Sequence, residues 1–106
     1  PHSKEDGEAK DKRLLLIQML ADKEIYIADF YYSQEKYTSA LSRYDLFLQS
    51  FPQNRRVPYV LLRAAKSAEK AAATDRIEPY VSQLVANYPS TTEAKQARRE
   101  FPNVAR

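Results

Sequence analysis

The sequence predicts an all-α fold of stacked helical hairpins: two repeats plus a capping helix, together an α-solenoid fragment. Three observations predict it. Among 106 residues there is one glycine, Gly7, so the tight turns that a sheet protein needs have almost no supply. Apolar residues recur at helical rather than alternating spacing. That recurrence then repeats, ending once in Phe51-Pro52 and again in Tyr88-Pro89, with the two prolines 89 − 52 = 37 residues apart.

Residues 1–10 are expected to be disordered or vector-derived, since the chain opens on Pro1, His2 and Ser3, and the repeat domain is placed at 11–106. The first helix is read from about Asp11 to Ser33 and the second from about Tyr37 to Ser50. In the second, Tyr37, Ala40, Leu41, Tyr44, Phe47, Leu48 and Phe51 share one face. Together they form a repeat at about 11–52. The 37-residue offset pairs Ala28 with Ala65, Tyr31 with Ala68 and Ala40 with Ile77, which gives a second repeat at about 57–89. Its helices are expected at Pro58 to Ala72 and at about Glu78 to Asn87. Pro58 suits a first turn, where a missing N–H is no loss. Pro79 would clash in a helix interior, so the fourth helix must begin a residue or two before it. A capping helix follows at about 92–100, opened by Ser90 with Glu93 as a capping box, and it begins a third unit. Small residues at Ala28, Ala64, Ala65 and Ala68 let neighbouring helices approach closely.

Composition narrows the function. The absence of cysteine excludes disulfides, thiolate metal sites and cysteine nucleophiles. The only histidine is His2, so no acid–base or metal constellation is built around imidazole, and no cluster of carboxylates has calcium-loop spacing. The expectation is a non-enzyme without cofactor, metal or small-molecule substrate. No apolar run reaches the length of a membrane span. The net charge of +3 is uneven: residues 53–106 hold ten Lys or Arg against five Asp or Glu, and residues 14–52 hold three against five. The pairs Arg55-Arg56 and Arg98-Arg99 raise nucleic-acid binding as a second class. They are short, lie near helix ends and lack interleaved exposed aromatics, so solvated helix flanks fit better.

Ala28, Ala40, Tyr44 and Pro52 stand as the tetratricopeptide signature has them, with three extra residues placed in the linker Gln53 to Val57. The stretch Leu20 to Tyr32, continuing through Lys36, Tyr37, Ala40, Leu41, Arg43 and Phe51-Pro52, resembles the C-terminal repeats of the BamD family of outer-membrane protein assembly lipoproteins. The periplasmic YbgF or CpoB repeats are the runner-up. The BamD resemblance implies a protein-binding scaffold at the periplasmic face of the outer membrane. Its repeats would dock onto the POTRA domains of the BamA-like barrel subunit, with membrane attachment only through a lipid anchor absent from this chain. Arg43 resembles the family's partner-contacting arginine. The turn Gln34, Glu35, Lys36 lacks the family's usual glycine, which implies either a non-glycine left-handed residue, costing about 1 kcal/mol, or a differently shaped turn.

The candidate partner-binding residues follow from the hairpin register. First helices line a groove in such repeats, which places Asp22, Asp29 and Tyr32 there from the first unit and Tyr59, Lys66 and Lys70 from the second. Two readings stand for them: a docking groove with acid at one end and base at the other, or ordinary solvated helix surface. Two stand for Arg43 as well: an arginine lying over Phe47 at the edge of the buried face, or a bidentate anchor for a partner carboxylate. Asp22, Asp29, Glu35 and Asp45 are read as solubilising charges, and Tyr31, Tyr37 and Tyr44 as core residues.

Overall fold

The computed structural model describes residues 2–105, with side chains from Gly7 onward. Five α-helices follow one another: α1 (His2–Ser33), α2 (Tyr37–Ser50), α3 (Val57–Lys70), α4 (Ile77–Asn87), after a single 3-10 turn at Thr74–Arg76, and α5 (Thr92–Glu100). No strand occurs among the described residues. Each helix packs on the next, and α5 also reaches back onto α3, so the two hairpins α1–α2 and α3–α4 stack with α5 as their cap. This is the all-α, tetratricopeptide-like arrangement that the periodicity predicts.

The core is the seam between the hairpins. Ala28, Ala40, Ala64, Ala65 and Ala68 have no exposed surface, and Tyr44, Phe47, Leu61, Val81 and Leu84 fill the space that these small residues leave between helix axes. Ala94, Ala97, Phe101 and Ala105 close the far end.

Helix ends are of two kinds, each used repeatedly. The first helix of each hairpin ends on a left-handed residue: Glu35 at φ 60° and Ala72 at φ 59°, again 37 positions apart. The amide of Lys36 reaches the Tyr31 carbonyl at 2.9 Å and that of Glu35 the Tyr32 carbonyl at 3.0 Å. Ala73 to Ala68 (2.8 Å) and Ala72 to Glu69 (3.1 Å) repeat the pair. Both turns are therefore Schellman motifs built without glycine. The missing glycine is thus resolved as a non-glycine left-handed residue, and α3 stops at Lys70, two residues before the expected end.

The other helices end on an aromatic before proline. Phe51, Tyr88 and Phe101 share one conformation, φ near −130° with ψ near 50 to 60°, and each amide still donates to the carbonyl four residues back. The following proline bars that residue from the α region, so the helix can go no further. The third instance, Phe101-Pro102, shows that α5 terminates as α2 and α4 do.

One cap differs in register from the sequence expectation, whereas the start of α4 two residues before Pro79 agrees with it. The cap of α5 is Thr91, not Ser90: Thr91 is extended, and its Oγ1 accepts from the Ala94 amide at 3.1 Å. Glu93 is thereby one position too early to close a capping box, and its Oε1 accepts from Thr92 Oγ1 instead. Pro79 stands at the third position of α4, inside the first turn, where it breaks no helical hydrogen bond.

The largest difference concerns α1, which begins at His2 rather than about Asp11. Residues 2–10 contain no proline and only one glycine, so nothing in them stops the helix from extending; Pro1 lies outside the described residues. With 32 residues against 14, α1 is about 48 Å long beside an α2 of about 21 Å. Its buried residues, Ala21, Ile25 and Ala28, all lie in its last turns. Ahead of them Leu14, Leu15, Leu16, Ile17, Met19 and Leu20 stand half-exposed, at 49 to 58%. No described helix is long and apolar enough to cross a membrane.

Candidate partner-binding surface

Two carboxylates tie the helices together through tyrosine hydroxyls. A phenol carried into a core must find an acceptor there, because an unpaired buried hydroxyl forfeits its hydration without return. Tyr44 on α2 is fully buried, and it donates to Asp29 Oδ1 on α1. Tyr59 on α3 donates to Asp29 Oδ2 at 2.8 Å. The Arg63 guanidinium lies 3.7 Å from the same carboxylate and 3.9 Å from the centre of the Tyr32 ring. One aspartate therefore joins α1, α2 and α3. Burial, reinforced by the hydrogen bond to Asp29 and by its charge, pushes the Tyr44 and Tyr59 hydroxyls above the usual phenol range, and the charge of Arg63 opposes this only in part.

The second carboxylate, Asp45 on α2, does the same across the hairpin boundary. It accepts from Tyr80 of α4 at 2.7 Å and from Gln49 at 2.6 Å, with Arg76 at 3.6 Å. Arg76 also donates to the Tyr80 hydroxyl at 2.8 Å. Burial and the bond to Asp45 push Tyr80 up to about 12 against the pull of Arg76. Asp29 and Asp45 are thus internal acceptors, which corrects their reading as solubilising charges.

Five of the seven predicted partner-binding residues come together on one face. Asp29, Tyr32, Tyr59, Lys66 and Lys70 lie along the surface shared by α1 and α3, but much of their bonding capacity is directed inward. Besides the bonds of Asp29 and Tyr59, Lys66 sits 3.7 Å from Glu100 of α5, Lys70 lies 5.4 Å from the Tyr37 ring centre, and Tyr32 meets Tyr37 edge-on at 5.3 Å. Asp22 is not among them. It is exposed at the start of the packed part of α1, beside a groove of about 540 Å³ lined also by Leu14, Ile17, Phe51, Pro52 and Arg55.

Arg43 stands elsewhere, on the edge of α2's buried face away from Asp45. Its Nη1 donates to Glu24 Oε1 of α1 at 3.2 Å, and its side chain is 39% exposed. Neither arrangement read for it alone, over Phe47 or free for a partner, describes this pairing. Sequence reasoning missed Glu24, Arg63 and Arg76. Arg63 had a usable signal: it lies four residues after Tyr59 and three before Lys66, so helical spacing places it on the same face. Two buried atoms in these clusters, Glu24 Oε2 and Arg63 Nε, have no hydrogen-bond partner among the described residues.

With this geometry in place, comparison with known families is decisive: residues 1–78 match the model of YfiO, described as an outer membrane lipoprotein. The chain belongs to the YfiO family. This is the BamD-like family that the stretch from Leu20 to Pro52 resembles, and the match takes in α1, α2, α3 and the start of α4. Membership places the chain among outer-membrane assembly lipoproteins of the cell envelope. No curated protein and no solved structure matched the chain.

Proposed function

We propose that this YfiO-family chain is a non-catalytic scaffold of outer-membrane β-barrel assembly, working at the periplasmic face of that membrane. In this reading it docks onto a POTRA domain of the barrel subunit through the edge of α2 that carries Arg43. The observation that carries the reading is the family match over residues 1–78, which includes the whole first hairpin.

The local geometry gives the proposal its chemistry. A guanidinium has five donors, and the one described hydrogen bond from Arg43 uses a single nitrogen. Glu24 holds the planar group in place, so a partner carboxylate meets an arginine that has already lost much of its side-chain freedom. Isothermal titration of the purified chain with a purified POTRA domain tests this. Arg43→Glu is expected to weaken binding by about tenfold, equivalent to about 1.4 kcal/mol. Glu24→Gln, which keeps the arginine's charge while loosening its position, should fall between the two. Unchanged affinity for Arg43→Glu, with helix content preserved, would refute the assignment.

A further inference from the structure

The surface of α3 carries a feature that the Arg43 edge does not use. Arg56, at the head of the helix, lies 4.5 Å from the Tyr59 ring centre, Arg63 lies over Tyr32, and Lys70 lies near Tyr37, with Lys66 between the last two cations. The spacings are 63 − 56 = 7, 66 − 63 = 3 and 70 − 66 = 4, so all four cations fall on one helical face. The row spans about 21 Å at 1.5 Å per residue.

Its charge is only half compensated. Asp29 faces Arg63 and Glu100 faces Lys66. Among the described residues, Arg56 and Lys70, at the two ends of the row, have no carboxylate within 4.0 Å. We propose that this row is a second docking surface, which takes an acidic helix of a partner protein. The proposal rests on the scaffold reading above but not on the Arg43 edge.

A helix fits better than other anions. Carboxylates spaced seven, three and four apart form a continuous stripe on a partner helix, and laid along α3 they meet the cations at matching rises. Stacking by nucleic-acid bases requires open aromatic faces, and here Tyr32, Tyr37 and Tyr59 each lie against a cation of the chain itself.

The test uses the full chain and a labelled synthetic helical peptide carrying four glutamates at these spacings on an alanine-rich background, followed by fluorescence anisotropy. A second peptide has the same composition with the glutamates scattered around the helix, and a third probe is single-stranded DNA. The patterned peptide should bind about tenfold more tightly than the scattered one. The double variant Arg56→Glu/Lys70→Glu should abolish that preference, whereas Arg98→Glu/Arg99→Glu on α5 should leave it within about twofold. Arg56→Gln/Lys70→Gln gives a milder loss and serves if charge reversal disturbs folding. Equal binding of both peptides, tighter binding of DNA, or no binding of the patterned peptide would each overturn the proposal. POTRA binding measured on the same variants keeps the two readings apart: the α3 variants should retain it.

Discussion

Removing the carboxylate of Asp29 perturbs three helices at once. In Asp29→Ala the Tyr44 hydroxyl stays fully buried with its acceptor gone, a loss of about 1 to 3 kcal/mol. Tyr59 is only half-buried, so water takes over its bond and the loss there is about 0.5 to 1 kcal/mol. The Arg63 contact at 3.7 Å joins side chains 24% and 31% exposed and adds at most about 1 kcal/mol after solvent screening. The sum is about 3 kcal/mol, a large share of the stability expected of so small a core. Urea unfolding followed by far-ultraviolet circular dichroism measures it, and a double-mutant cycle isolates its origin. Tyr44→Phe alone should destabilise by about 1.5 kcal/mol, because it removes a bond to a charged acceptor. In the Asp29→Ala background the same change should be neutral or stabilising, because it removes a hydroxyl that is already stranded. If Asp29→Ala loses less than about 0.5 kcal/mol, or if Tyr44→Phe has the same effect in both backgrounds, the aspartate does not organise this core in the way argued.

Three further outcomes follow from the same structure. Glycine at either left-handed position, Glu35→Gly or Ala72→Gly, should raise stability by about 0.5 to 1 kcal/mol, since relief of left-handed strain outweighs the greater freedom of glycine in the unfolded chain; a lower urea midpoint would contradict the turn geometry. Ala65→Phe should overpack the contact at a site with no exposed surface and lower stability by about 1 to 3 kcal/mol, and an unmoved midpoint would exclude that contact. Raised phenol values predict alkaline instability. Below pH 10 both the folded and unfolded chain hold the protons of Tyr44, Tyr59 and Tyr80, and their stabilisation is complete; above it only the unfolded chain releases them, so stability falls as pH climbs from 10 toward the value of about 12 for Tyr80. Phenolate absorbance and circular dichroism, titrated in parallel, should show a tyrosine fraction that ionises only as helix is lost. All eight tyrosines ionising together near pH 10 with the helix intact would contradict this.

The local structure of this protein was legible because its causes are local. An apolar stripe at helical spacing buries the same residues whatever the neighbouring helix is, so Ala40, Tyr44 and Phe47 are core in the sequence and in the fold. Proline acts on the residue before it and on its own turn, so the ends at Phe51 and Tyr88 and the early place of Pro79 in α4 could be read directly. The start of α5 was read correctly, but its cap was off by one because Ser90 and Thr91 are both competent caps and only the backbone conformation chooses between them.

Tertiary structure alone decided what the polar residues do. Asp29 meets hydroxyls 15 and 30 residues away, and Asp45 meets one 35 residues away, on helices whose rotation about their axes no single-helix pattern specifies. A carboxylate at the edge of an amphipathic stripe looks the same in the sequence whether it faces water or a buried phenol. The acceptor role appears only once neighbouring helices bring the phenol within hydrogen-bonding distance, and the same encounter gave Arg43 its partner in Glu24. The sequence by itself therefore determined the number and order of the helices and the aromatic-proline ends of α2 and α4. The stacking of the hairpins decided which charges are held inside and which remain to meet a partner.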